Sequence, residues 1–420
     1  MRNLIIAIAL IPLLATAQSL EECQQAAERN YPLIQRMDLI RQTTDLTMQN
    51  IAKGWLPQIT ATAQATYQSS VASWPEQMQQ MYDQMGLDMK GLRKDQYRIG
   101  IDVQQTVYDG GSIRSQKEVA LQQGNVEMAQ NEVSLYSVRQ RVNEMYFALL
   151  LLDDQIRLKR DLQTLLAANE KKLASMQRGG TAAESDYLNV KAERLNAEQQ
   201  LSDLQSQRQS ISRMLTTFCG IEMTEPQKPA ANIAAHGNNR PELRLIDSQV
   251  RLADAQERAL DAAIRPRLGL FAQGYYGYPG MNMFKDMMSR QWTLNALVGV
   301  RLQWNIGALY TRKNDKAKLQ LARQNAENSR EVFLFNSNLE QIQHDENIDR
   351  YRKLMTDDNE IISLRAQVRK AAESKLQHGI IDVNDLLREI NAENAARVQQ
   401  SIHEIEMLRE IYNRKYTTNN

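Results

Sequence analysis

Four stretches of the chain alternate apolar and polar residues with a period of two. In 59–68, Ile59, Ala61, Ala63, Ala65 and Tyr67 alternate with Thr60, Thr62, Gln64, Thr66 and Gln68. In 97–107, Tyr97, Ile99, Ile101 and Val103 oppose Arg98, Gly100 and Asp102. The pattern is clearest in 292–304. There Trp292, Leu294, Ala296, Val298, Val300, Leu302 and Trp304 share one side, and Thr293, Asn295, Gly299, Arg301 and Gln303 the other, with Leu297 as the exception. It is weakest in 268–278, where Leu268, Leu270, Ala272, Tyr276 and Tyr278 still align. This is the pattern of a strand with one oily face. The lengths suit the roughly 9–11 residues of a tilted membrane strand. Trp55, Trp74, Trp292 and Trp304 lie in or beside these strands, as do Tyr67, Tyr97, Tyr108, Tyr275, Tyr276 and Tyr278. Aromatic residues at strand ends form the interfacial girdles of outer-membrane barrels. A soluble sandwich is the alternative, and four strands make a poor one.

The remaining pattern is helical. Between Ser112 and Arg178 there is no proline, and Val142, Met145, Leu149, Leu152 and Ile156 recur at coiled-coil spacing. Such a helix is roughly 100 Å long. Gly179-Gly180 end it, and Thr181-Ala182-Ala183-Glu184 reads as a capping box that opens a helix over 181–218. In the second half a long helix covers 308–377 and His378-Gly379 stop it. Asp382 then caps a helix over 382–416, with Asp385 favouring its dipole. Residues 219–239, with Pro226, Pro229 and Gly237, read as a linker.

The halves correspond. At an offset of 209, Pro32, Asp38, Pro57 and Tyr67 meet Pro241, Asp247, Pro266 and Tyr276; at 199, Gly180, Asp186 and Leu188 meet Gly379, Asp385 and Leu387. This predicts an internal repeat, 18–218 and 240–416, followed by a tail, 417–420. Each half reads as helix, strand, strand, long helix, helix. The leading helix, 20–53, and the trailing one, laid end to end, nearly match the long helix in length. Four strands cannot close a membrane barrel, whose smallest form has about eight, so closure needs several chains. Ile99, Ile101, Val298 and Val300 are then expected to face lipid, and Thr60, Thr62, Asn295 and Arg301 the lumen.

The first seventeen residues carry Arg2, an apolar run from Leu4 to Leu14 and Ala15-Thr16-Ala17. They read as a signal peptide, 1–17, cleaved to leave Gln18. The residues before Cys23 do not form a lipobox. No later run of about 18 apolar residues is long enough for a transmembrane helix, so membrane entry would require strands. The chain has 51 Lys+Arg and 50 Asp+Glu, which argues against nucleic acid as a partner. The four His and two Cys are scattered, with no local metal-ligand spacing. No catalytic or nucleotide motif stands out. Neither cofactor nor metal is expected, and an exported enzyme is disfavoured. His236, His344, His378 and His403 read as solvated helix residues. Met78, Met81, Met85 and Met89, with Met281, Met283, Met287 and Met288, lie in the loops joining strand pairs. Thioethers suit Cu(I), but this spacing reads first as packing. Cys23 and Cys219 fall where the leading helix starts and the trailing one ends. They are a candidate disulfide in an oxidising compartment, two small buried thiols being the alternative.

This order of elements resembles the TolC family of outer-membrane efflux proteins, over Leu20 to about Tyr416. The carrying residues are Asn30-Tyr31-Pro32, Leu56-Pro57-Gln58, Tyr108-Asp109-Gly110-Gly111, Gly180 and Gly379, and Asp186 and Asp385. The resemblance implies a homotrimer with a twelve-stranded β-barrel in the outer membrane and a long periplasmic α-barrel. It implies a passive exit duct of a tripartite efflux or type I secretion system, fed by an inner-membrane pump through a periplasmic adaptor. The adaptor would grip the helical turns, Gly179, Gly180 and Thr181 and then His378, Gly379 and Ile380. Asp385 matches a ring aspartate of the family's periplasmic gate, with Asp186 its counterpart in the first half. The second ring position is Arg388 here, and the family's latch position is Ile381. A secreted periplasmic coiled-coil scaffold without a channel is the rival function.

Overall fold

A computed structural model describes residues 19–87, 89, 91–223, 225–232 and 237–419. The expected signal peptide, Gln18, His236, part of the linker and Asn420 lie outside the described residues. In chain order the elements are α1 (Leu20–Asn30), α2 (Leu33–Ala52), β1 (Gln58–Tyr67), α3 (Glu76–Gln84), β2 (Asp95–Tyr108), α4 (Ser112–Arg178) and α5 (Glu184–Cys219). There follow α6 (Pro241–Ala263), β3 (Arg267–Tyr278), α7 (Met283–Ser289), β4 (Thr293–Gln303), α8 (Ala308–Gln377) and α9 (Val383–Thr418). They fall into two units. One comprises Met1–Asp38, Ala129–Leu245 and Asn328–Asn420, the other Leu39–Met128 and Ile246–Glu327.

The second unit holds a four-stranded antiparallel sheet in the order β1-β2-β3-β4. Its register follows the alternation: Ile59 pairs with Val103, Ile99 with Tyr276, and Leu270 with Val300. Apolar side chains therefore share one face. A bulge separates Thr106 from Tyr108, just before α4. Asp109 makes that junction. Its buried carboxylate accepts from Gly111 N at 2.8 Å and Ile113 N at 2.6 Å. Gly110 must be glycine, because its φ is +70° and a Cβ would lie 2.8 Å from Arg265. Helices α6 and α8 are joined by charge. Asp261 meets Arg312 at 2.7 Å and Lys316 at 2.9 Å, and Glu257 meets Lys316 at 3.3 Å.

The β1–β2 and β3–β4 loops fold on one another. Leu92, Tyr278 and Met287 make a small core with Val71 and Trp74. Among the loop methionines the packing is partial: Met89 and Met287 are buried, but Met81, Met85, Met281, Met283 and Met288 are exposed. The short α3 and α7 have too little partner surface to cover both sides.

The first unit is helical. Leu20 and Cys23 of α1, Val142, Tyr146, Phe147 and Leu149 of α4, Leu215 and Cys219 of α5, and Ile405 and Ile411 of α9 form its main core. The single leading helix expected over 20–53 is instead two, parted at Tyr31-Pro32. Proline lacks the N–H that a continuous helix needs. Asn30 uses the break: its amide donates to the carbonyls of Thr217 at 3.1 Å and Phe218 at 3.2 Å, closing the end of α5. Tyr31 packs on Phe218 with ring centroids 5.3 Å apart.

Candidate channel wall and helical turns

Because opposed residues of a sheet share a face, register assigns the faces directly. Ile99, Ile101, Val298 and Val300 lie on one face with Ile59, Tyr276, Leu294 and Leu302, and all are exposed, Val298 by 77% and Leu294 by 81%. A contiguous apolar surface of this kind is unusual on a protein in water and marks contact with lipid or protein. Thr60, Thr62, Asn295 and Arg301 lie on the other face. Asp102 is there too, accepting from Gln273 Nε2 at 2.5 Å and Thr62 Oγ1 at 3.5 Å. Towards the α3 and α7 loops, Trp292 stacks on Tyr97 and tilts on Tyr276 at centroid distances of 6.2 and 5.4 Å. At the other end Trp304 donates through Nε1 to Ile264 O at 2.9 Å. A cavity of about 320 Å³ opens on the polar face near α4, lined among others by Gln104, Asp109, Arg267, Phe271 and Arg301.

The helical turns are built alike. Gly180 and Gly379 have φ of +76° and +68°. Thr181 N donates to Met176 O at 2.9 Å and Ile380 N to Lys375 O at 3.0 Å, which closes the ends of α4 and α8. Nothing lies within 4 Å of the place a Cβ would take on either glycine. His378 donates through Nδ1 to Ser374 O at 2.8 Å. Asp382 Oδ1 accepts from Asp385 N at 2.9 Å and caps α9. The expected capping box at Thr181 does not form. Thr181 Oγ1 turns back to Met176 O at 3.1 Å, α5 starts at Glu184 with Ala183 as its cap residue, and Asp186 Oδ2 accepts from Ala183 N at 3.3 Å. The carboxylate half of a capping box thus forms without its hydroxyl half. Arg388 pairs with Asp385 at 2.6 Å on the exposed side of α9. Asn189 and Asn384 join α5 to α9 at 3.3 Å. Ile381 is half-buried against Leu386 and Ile390.

Three further points concern the helical core. Cys23 and Cys219 are not bridged; they are two free, buried thiols in the main core. Cys219 Sγ donates to Cys23 O at 3.4 Å and Cys23 Sγ to Met223 Sδ at 3.6 Å. The hydrogen bond with Cys219, then burial, push the Cys23 thiol well above its ordinary range. The histidines are not all solvated. His403 is buried, with Nδ1 2.8 Å from Asp358 and Nε2 2.8 Å from Gln399, and His344 meets Glu410 at 2.6 Å. Sequence reasoning also missed the cross-links between paired helices. Arg194 of α5 reaches Glu170 of α4 at 2.6 Å, and Arg369 of α8 reaches Glu393 of α9 at 2.5 Å. Each pair spans 24 positions across a turn, a separation with no local periodic signal.

A sheet with one oily and one polar face has the pattern of membrane strands, and the helix pairs are joined at glycine turns. The sequence model of the outer membrane efflux protein family matches residues 23–220. No relative is found by sequence among curated proteins. By structure the chain is similar to the outer-membrane channel OprN, at 16% identity and a TM-score of 0.67, over 95% of this chain and 89% of that one. It is similar to the outer membrane protein VceC of Vibrio cholerae, at 12% identity and 0.65, over 96% of both chains. It is also similar to the open state of the Neisseria gonorrhoeae MtrE outer membrane channel, at 14% and 0.65, over 96% and 89%. The family match covers just under half of the chain, and the likeness to solved channels extends the shared fold over nearly all of it. Its fold is that of outer-membrane channels.

Proposed function

We propose that three copies form the exit duct of a tripartite export system. The carrying observation is the four-stranded sheet, whose β1 and β4 each pair on one side only within the described chain and whose apolar face is exposed. Open strand edges are not tolerated in lipid. Pairing β4 of one copy with β1 of the next closes twelve strands around the polar faces. The two halves of the chain, each two strands and a pair of helices joined at a glycine turn, act as repeats of one unit. Substrates pass down the lumen without energy input, delivered by an inner-membrane pump through a periplasmic adaptor.

The adaptor docks at the turns around Gly179, Gly180 and Thr181 and around His378, Gly379 and Ile380. The open space beside both glycines supports this, since a partner backbone approaches closely there. Asp186 and Asp385, a few residues behind the turns, face the pore axis in this reading and Arg388 moderates their repulsion. The experiment is cysteine cross-linking of the sheet edges, Ala63→Cys with Ala296→Cys, in outer membranes. The expected product is a covalent trimer that migrates with heat-modifiable mobility. Monomer alone, from protein that fractionates with the outer membrane, would refute the assembly.

A further inference from the structure

The polar sheet face carries an arrangement that passive transport does not require. Two four-residue squares recur on neighbouring strand pairs. In one, Arg98 stands opposite Gly277 and Gly100 opposite Tyr275. In the other, Arg301 stands opposite Gly269 and Gly299 opposite Phe271. Each square has its large side chains on one diagonal and glycines on the other. The glycines supply the room. A Cβ on Gly100 would lie 2.8 Å from Tyr275 Cβ, and one on Gly299 2.8 Å from the Phe271 ring. The arginines fold over the rings, with the guanidinium carbon 5.9 Å from the Tyr275 centroid and 4.8 Å from that of Phe271. Both distances are in the cation–π range.

A ring holds a guanidinium in place without neutralising it. Neither Arg98 nor Arg301 has a carboxylate partner among the described residues. Arg267, opposite Gln303, is a third cation on this face, 3.4 Å from Ser112 Oγ. Asp102 is the opposing charge on the strands. Asp95 lies on the other face, opposite Tyr67, and is paired with Arg93; Asp109 is occupied in capping α4. The strand wall thus presents three guanidinium groups against one carboxylate. Fixed charge of one sign in a confined, low-dielectric passage concentrates ions of the other sign.

We propose that the strand-lined part of the duct favours anionic solutes, with Arg98 and Arg301, seated on Tyr275 and Phe271, as the specificity-determining residues. This rests on the polar face lining the lumen. The test uses the assembled protein in planar bilayers, with a potassium chloride gradient and citrate, a small polyvalent anion, added on the barrel side. Citrate is expected to block wild-type current. R98Q/R301Q should raise the half-blocking citrate concentration about tenfold and move the reversal potential towards that of potassium. D102N should move both in the opposite direction, and it tests the proposal even if the double variant assembles poorly. Unchanged citrate block and reversal potential in conducting variants would overturn the inference alone. Folded trimer without any conductance steps would instead overturn the duct reading on which it rests.

Discussion

Glu393 shows how a charge comes to be buried in this protein. It lies 6% exposed on α9 and accepts from Arg369 at 2.5 Å and Arg397 at 2.7 Å. Burial alone would raise its pKa, but the two guanidinium groups outweigh it and hold the carboxyl below the usual glutamate range. A folded-state pKa below the unfolded one stabilises above the ordinary glutamate pKa of about 4.3, and that contribution is lost as pH falls through the folded value. Glu393→Gln is therefore expected to cost about 2 kcal/mol at pH 7, as for loss of a charge-assisted hydrogen bond, with the gap to wild type narrowing below about pH 4. Denaturant titrations in detergent at pH 7 and pH 3.5 check this; an equal gap at both would mean that the carboxylate charge is not the cause. On the sheet, Val298 is 77% exposed on the apolar face. Val298→Arg should cost about 2–4 kcal/mol near a bilayer midplane, whereas Thr62→Arg, on the polar face, should be mild. The readout is the yield of heat-stable trimer in outer membranes, and equal loss from both would reverse the face assignment.

Among the elements, the turns and the breaks carry the most meaning. The α4–α5 and α8–α9 turns each need one left-handed residue, met by Gly180 and Gly379. Gly180→Trp strains that position by about 1–2 kcal/mol, but its Cβ would enter space with no other atom within 4 Å. Trimer formation is expected to survive, while capture by the adaptor is lost. Retained adaptor capture would place the docking surface elsewhere. The strands were legible because the period of two is local and β4 runs through the clearest alternation, Thr293–Gln303. The split of the leading helix was missed although Pro32 signals it. Helical periodicity resumes at once beyond the break, and the reason for the break lies at Thr217 and Phe218, far along the chain.

For the whole molecule, the proposed gate is the decisive feature. Arg388 pairs with Asp385 one turn away, both at the surface of the chain. In a three-fold assembly the aspartates would repel across the axis, and the arginines would offset that repulsion. Arg388→Asp is expected to give a duct that leaks at rest and is blocked more strongly by trivalent cations. Single-channel recording checks both. Resting conductance and cation block equal to wild type would leave Asp385 as a residue of the helix end only.

What the sequence by itself determined is what depends on neighbours a few positions apart: four half-oily strands, long helices, the glycines between them and the Asp382 cap. These follow from the period of the backbone and from the conformations open to glycine, proline and short polar side chains. What only the tertiary structure decided is pairing across distance. Arg98 reaches the ring of Tyr275, His403 is buried against Asp358, Asn30 closes α5, and Cys23 and Cys219 lie together as thiols. No local periodicity encodes which face of one element meets which face of another. That choice is made by the register of the sheet and the packing of the helical core, where each buried polar group must find a partner that the chain supplies from elsewhere.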